Sequence, residues 1–147
     1  MQNRPTNKLL FAGIVIASIV VFTLLQGYWA LWDYHDGLSS SCIECSFFGD
    51  LFCASLLPLS VIGILQLIYY RLKPRLIYQT VFCMLALMFC WYIIDTIIFD
   101  EREASWSTYS NIWSIGIIIC WLQVAVFGLV FGLIYYIFHP QIQHKAR

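Results

Sequence analysis

The chain has 147 residues, of which 61% are hydrophobic and 11% are charged. Soluble domains contain roughly 45–50% apolar and about 25% charged residues. Such a small number of charged residues cannot cover the exterior of a soluble domain of this size. The composition therefore excludes a soluble domain and predicts that the chain lies in a lipid bilayer. The eight basic and eight acidic residues balance, and without a net field we expect no nucleic-acid partner.

Long apolar runs alternate with short polar segments. Membrane-spanning helices are predicted at residues 9–32, 51–70, 76–99 and 112–138. The remaining segments are residues 1–8, 33–50, 71–75, 100–111 and 139–147. Each run is long enough to cross roughly 30 Å of hydrocarbon at about 1.5 Å per residue. Because short loops place consecutive helices side by side, we expect an all-α integral membrane protein, with one antiparallel four-transmembrane-helix bundle.

The charged residues alternate between the predicted loops. The terminal and central segments hold the basic residues Arg4, Lys8, Arg71, Lys73, Arg75, Lys145 and Arg147. The other loops hold the acids Asp33, Asp36, Glu44, Asp50, Asp100, Glu101 and Glu103, with Arg102 as the one exception to this separation. Because Lys and Arg in short loops stay in the cytoplasm, both termini are predicted to be cytoplasmic. The predicted location is a bacterial inner membrane.

The start of the second helix has two interpretations. Ser41 and Glu44 have the spacing of a capping box, which would begin a helix near Cys42. Gly49 argues against a continuous helix from there, so a short interfacial turn is the alternative. Further along, Pro58 is predicted to kink the helix within the membrane.

Small residues one helical turn apart occur in the first and last helices. Gly13 and Ala17 form one such pair, and Gly128 and Gly132 form the other. This spacing lets two helices approach closely in lipid, either inside the bundle or between proteins. We favour packing inside the bundle, and expect other membrane proteins or a second copy as further partners.

The cysteines divide by their predicted depth. Cys83, Cys90 and Cys120 lie within apolar helices, where a thiol is usually inert. Cys42 and Cys45 lie in the first outer loop, and the outer face of a bacterial inner membrane is oxidising. We interpret the pair first as a structural disulfide and second as a redox-active motif. The loop acids, and the absence of Lys or Arg from this segment, oppose thiolate formation.

A metal site is a third interpretation of the same loop. His35, Cys42 and Cys45 are residue types that bind zinc or copper, with Asp36 and Glu44 nearby. Their spacing matches no standard site, and we therefore expect no bound metal.

In its placement, the Cys42-Ile43-Glu44-Cys45 segment resembles the DsbB and vitamin K epoxide reductase group. The resemblance implies a four-helix membrane core, thiol–disulfide exchange at Cys42 and Cys45, and a quinone cofactor. The sequence departs from that pattern in two ways. The loop at residues 100–111 lacks a second cysteine pair, and no arginine follows Cys45 closely.

Asp95 is the one carboxylate inside a predicted helix. Met84, Met88 and Trp91 share its helix face, and this stripe is expected to face the bundle if Asp95 avoids lipid. No basic residue lies within the predicted helices, so Asp95 is expected to bond with Gln, Thr, Trp or water, or to bind a proton. Solvation near the interface is the structural interpretation, and a proton or cation site in a small oligomeric transporter is the functional one.

The chain contains no nucleophile and base pair, phosphate loop or nucleotide motif. We therefore favour a non-catalytic accessory or interaction component of the cell envelope that needs no cofactor. A thiol–disulfide oxidoreductase using Cys42 and Cys45 is the main alternative, and a transporter using Asp95 is the other.

Overall fold

The computed structural model describes residues 6–42, 44–106 and 108–140, and these residues form helices and turns without any strand. The helices are α1 (Thr6–Ala30), α2 (Phe47–Ala54), α3 (Leu56–Leu72), α4 (Leu76–Arg102) and α5 (Ile112–Phe138). Four segments are long and apolar enough to cross a membrane, namely Leu9–Ala30, Phe47–Leu72, Leu76–Arg102 and Ile112–Phe138. Arg4, Lys145 and Arg147, which contribute to the predicted orientation, lie outside the described residues.

The second membrane segment is interrupted between α2 and α3. Pro58 has no backbone N–H, so it leaves the carbonyl of Ala54 without its helical donor. Helix α2 ends at Ala54, and Ser55 separates it from α3. The Ser55 hydroxyl donates to the Phe52 carbonyl at 2.6 Å, which satisfies one acceptor at the interruption. The disturbance predicted at Pro58 therefore lies almost one turn before it.

Helix α2 begins at Phe47, later than the capping-box interpretation and earlier than residue 51. Ser46 is the N-cap, and its hydroxyl accepts a hydrogen bond from the Gly49 amide at 3.1 Å. Ser41 does not start a helix, because the chain beside it is held by α4. The Ser40 amide donates to the Glu101 carbonyl at 2.9 Å, which fixes this stretch as a loop.

Helix α4 packs against α1, α2, α3 and α5 and is the most extensively buried of the long helices. Trp91 and Asp95 are 0% and 1% exposed, and Met88 and Met84 follow on the same face towards α5. This stripe therefore faces other helices. The indole Nε1 of Trp91 also donates to the Thr23 hydroxyl of α1 at 2.9 Å, so the contact between α4 and α1 includes a polar bond.

Glycines let α5 approach α4 closely. A Cβ added to Gly128 would lie 2.5 Å from Cγ of Met88, and one added to Gly132 would lie 3.1 Å from Sδ of Met84. Both glycines of the α5 motif thus pack inside the protein. Gly13 and Ala17 of α1 are exposed, and nothing lies within 4 Å of an added Gly13 Cβ.

The N-terminal half of α1 lies apart from α3. Between them is a cavity of about 480 Å³, whose lining includes Val15, Ile16, Leu59 and Gly63. In this half α1 packs instead on α5, where the Phe11 and Tyr135 rings lie 5.2 Å apart.

Gly116 provides a test of the α4 and α5 contact. A Cβ there would lie 2.2 Å from Oγ1 and 3.0 Å from Cβ of Thr96, a buried residue whose hydroxyl donates to the Tyr92 carbonyl. Because Thr96 cannot move away easily, we expect Gly116→Ala to lower the free energy of unfolding by about 1–3 kcal/mol. Gly63→Ala is the matched control, since a Cβ at Gly63 meets nothing within 4 Å. Thermal unfolding in detergent measures both, and equal stability of the two variants would contradict this packing.

Candidate functional site

The chain between α1 and α2 forms a compact loop over one end of α4, and we call residues 31–46 the outer loop. It begins with a 3-10 turn at Trp32–Tyr34. Gly37 then passes close to the end of α4, where an added Cβ would lie 3.0 Å from the Arg102 carbonyl. Only a residue without a side chain allows this approach at the present spacing.

Cys42 and Cys45 form a disulfide in the last part of the outer loop. The Cys45 amide donates to the Cys42 carbonyl at 3.1 Å, so the two cysteines close a tight turn. Cys45 is exposed and Cys42 is half-buried. Both cysteines precede the Ser46 N-cap of α2. The capping-box interpretation, which predicts that they lie in the first helical turn, is therefore wrong.

Arg102, the last residue of α4, holds the outer loop in place. Its Nη1 donates to the Gly37 carbonyl at 2.5 Å and to the His35 carbonyl at 3.4 Å. Its Nη2 donates to Asp50 Oδ2 at 2.6 Å and to the Cys45 carbonyl at 3.4 Å. The residue is 5% exposed. One guanidinium therefore connects both halves of the outer loop to α4 and to α2.

Further contacts support this arrangement. The guanidinium carbon lies 5.2 Å from the ring centroid of Phe47, which adds a cation–π contact. The Ser39 hydroxyl donates to the Glu101 carboxylate at 3.3 Å, beside the backbone bond from Ser40 to the Glu101 carbonyl. Glu101 and Arg102, the last two residues of α4, thus bind the outer loop through both charged side chains and a backbone carbonyl.

The sequence pattern predicts that Arg102 lies in a loop at residues 100–111. No basic residue is close to the cysteine pair in the sequence. The structure instead extends α4 to Arg102 and brings its guanidinium to the Cys45 carbonyl. One sequence feature does single out Arg102, because it is the one basic residue in the two acidic loops. Its partners are far from it in the sequence, so spacing alone did not reveal them.

His35 is engaged locally in the outer loop. Its Nδ1 contacts the Trp32 carbonyl, its ring stacks on Trp32 with centroids 5.2 Å apart, and its Nε2 lies 3.4 Å from Asp36 Oδ1. Among the described residues, no group of three or more His, Cys, Asp or Glu side chains is placed to hold a metal ion. Cys42 and Cys45 are joined to each other, so their thiols are not available as ligands in this state.

The outer rim has an acidic character. Burial is the main cause that raises the pKa of Tyr34 above its ordinary value, and Tyr109, Asp33 and Glu103 raise it further. Two of these neighbours are carboxylates, which disfavour another negative charge. An additional negative charge beside Tyr34 is therefore disfavoured.

Asp95 belongs to a second, buried cluster, about two helical turns before Arg102 on α4. Gln26 Nε2 of α1 donates to Asp95 Oδ2, and the Cys120 thiol of α5 lies beside the same carboxyl. Gln26 and Asp95 are 0% and 1% exposed. A glutamine is among the partners that the sequence allowed, but the carboxyl is fully enclosed rather than solvated at an interface.

The other cysteines are distributed as follows. Cys83, Cys90 and Cys120 are buried free thiols, and Cys53 is an exposed free thiol on α2. Cys83 accepts a hydrogen bond from Gln66 at 3.5 Å, and Gln66 also donates to the Tyr135 hydroxyl at 2.7 Å. These bonds join α3, α4 and α5 in the half of the molecule that contains the turn between α3 and α4.

Comparisons with protein-family models, with curated proteins and with solved structures find no match for this chain.

Replacing Arg102 tests whether it holds the outer loop. Arg102→Gln leaves Asp50 without its charged partner and removes donors from three loop carbonyls. We expect a loss of about 2 kcal/mol in the free energy of unfolding, because the half-buried Asp50 loses its charged partner and the loop carbonyls lose their donor. Arg102→Lys should recover only part of it, since an ammonium cannot reproduce the planar set of donors.

Thermal unfolding in detergent and protease cleavage of the outer loop measure this effect. Arg75→Gln is the control, because Arg75 is exposed at the opposite end of α4. Unchanged stability and an uncleaved loop in Arg102→Gln would show that the guanidinium does not hold it.

Proposed function

We propose that this protein is a non-catalytic component of a bacterial cell envelope, which spans the inner membrane four times and acts by contact with other membrane proteins. The observation that carries this proposal is the outer loop, closed by the Cys42–Cys45 disulfide and held by Arg102. A loop held at so many points offers a partner a fixed shape. Preorganised surfaces bind with a smaller loss of conformational entropy.

The helix surfaces support a function in lipid. Large apolar side chains remain exposed on several helices, including Phe89, Ile118 and Leu133 at 63%, 72% and 62%. Lipid or neighbouring helices can cover such surfaces, whereas exposure to water would be unfavourable.

We infer an antiparallel bundle with both termini in the cytoplasm, because the basic residues Arg71, Lys73 and Arg75 surround the turn between α3 and α4.

A structural disulfide agrees with this orientation. The outer side of a bacterial inner membrane is oxidising, so a disulfide persists there. The bond closes the part of the outer loop that leads directly into the Ser46 N-cap. We infer that it fixes the entry into α2, while Arg102 fixes the rest of the outer loop.

A thiol–disulfide oxidoreductase is the second candidate, and one specific observation favours it. Arg102 binds the Cys45 carbonyl, and a nearby cation stabilises a thiolate. Cys45 is also exposed to an approaching partner. Under this alternative a quinone would serve as the electron acceptor. The bonds of Arg102 to Asp50 and to loop carbonyls give the same residue a structural explanation, so we place this function second.

Thiol trapping on intact cells separates the two candidates. We expect Cys42 and Cys45 to remain oxidised and resistant to a membrane-impermeant alkylating reagent. In a background without the exposed Cys53, we expect Cys45→Ala and Cys42→Ala, each with one thiol of the pair remaining, to accumulate no mixed disulfide with a soluble partner. A mixed disulfide that forms in one of these variants and not in the other would refute the non-catalytic function and support the oxidoreductase.

The proposed orientation is tested separately by cysteine labelling. In a background without Cys42, Cys45 and the exposed Cys53, we expect Asp36→Cys to react with an impermeant maleimide in intact cells. Lys73→Cys is the matched position, because it is also exposed but lies in the basic turn. It should react only after the membrane is made permeable. The opposite pattern would invert the orientation.

A further inference from the structure

The contact between Asp95 of α4 and Gln26 of α1 contains an unsatisfied pair of atoms. Gln26 Nε2 donates to Asp95 Oδ2, which leaves one oxygen on each side chain. These two atoms, Asp95 Oδ1 and Gln26 Oε1, are both buried without a hydrogen-bond partner in the described part of the chain. Both are acceptors, and a buried acceptor without a donor destabilises the folded protein.

Nearby donors are already committed to other acceptors. The Trp91 indole donates to the Thr23 hydroxyl, and Thr23 donates to the Ile19 carbonyl at 2.7 Å. The Thr96 hydroxyl donates to the Tyr92 carbonyl at 2.7 Å. From α5, Cys120 presents a thiol, which is a weak donor.

No cation compensates a charge on Asp95 within the described residues. The next basic side chain along α4 is Arg102, about 10 Å further along the helix axis, and it is paired with Asp50. An ionised carboxylate at 1% exposure would therefore be a charge in an apolar helix contact without a counterion. Such a charge is strongly unfavourable within a membrane.

We propose that Asp95 is a proton-binding site, and that its carboxylic acid and the Gln26 carboxamide form a cyclic pair with two hydrogen bonds. A protonated carboxyl has one O–H donor, and a carboxamide has both donors and an acceptor. The bond from Gln26 Nε2 to Asp95 Oδ2 is one half of the pair. A proton on Oδ1, donated to Oε1, is the other half. One proton satisfies both unpaired acceptors and removes the buried charge.

This site makes the contact between α1 and α4 depend on protonation. Loss of the proton leaves a negative oxygen and a carboxamide oxygen with no donor between them, so the pair opens. The proposal is independent of the function proposed for the outer loop, because Asp95 and Gln26 do not contact the disulfide in any described bond.

Infrared spectroscopy of the full chain in lipid tests the proposal. We expect a carboxylic acid C=O stretching band at neutral pH that shifts in D₂O and is lost in Asp95→Asn. Asp36→Asn is the matched control and should keep the band, because the Asp36 side chain is 93% exposed. Asn can form the same cyclic pair with Gln26, so this variant is expected to fold.

Gln26→Leu gives an independent readout if Asp95→Asn does not fold. It removes the donor to Asp95 Oδ2, so the band should persist and move to higher frequency. An unshifted band would assign the acid to another residue and overturn the proposal. A wild-type spectrum in which Asp95 contributes only carboxylate bands would also overturn it, and dependence of those bands on sodium would indicate a cation site instead.

Discussion

The guanidinium of Arg102 joins the end of α4 to both halves of the outer loop and to α2. The outer loop has few backbone hydrogen bonds of its own, so its carbonyl groups need donors from elsewhere. Arg102 supplies them at the carbonyls of His35, Gly37 and Cys45, and its charge is balanced by Asp50. Arginine suits this position because its planar group presents several donors at once. Together with the bonds from Ser39 and Ser40 to Glu101, these contacts hold the outer loop, including the disulfide, against the end of α4.

Helix α4 carries Arg102 and also organises the helices below it. In lipid, apolar packing gives little preference for one helix neighbour over another, so close contact and hydrogen bonds decide the arrangement. α4 provides both, through the bonds of Trp91 and Asp95 to α1 and the close approach of Gly116 and Gly128 on α5. Its polar bonds to α1 lie in the C-terminal half of α1, whereas a cavity separates the N-terminal half of α1 from α3.

These features give the two ends of the molecule different properties. One end has the outer loop with carboxylates beside it and, about two helical turns further along α4, the buried carboxyl of Asp95. The other end has a short basic turn, where Lys73 ends α3 in a left-handed conformation at φ 47°. Burial lowers the pKa of His139, just after α5, so this residue adds less positive charge to that end than its type suggests. The two ends therefore differ in both charge and order of their loops.

The sequence by itself determined the helical architecture, because long apolar runs in a chain with so few charges have no stable alternative outside lipid. It also identified Cys42, Cys45 and Asp95 as unusual residues, since each is rare in its predicted location. The tertiary structure decided which residues these three meet. Arg102 is separated from Cys45 by 57 positions and Asp95 from Gln26 by 69, and no local pattern relates residues so far apart. Hydrogen bonds in a buried site depend on which helices pack together, and that packing is a property of the folded chain.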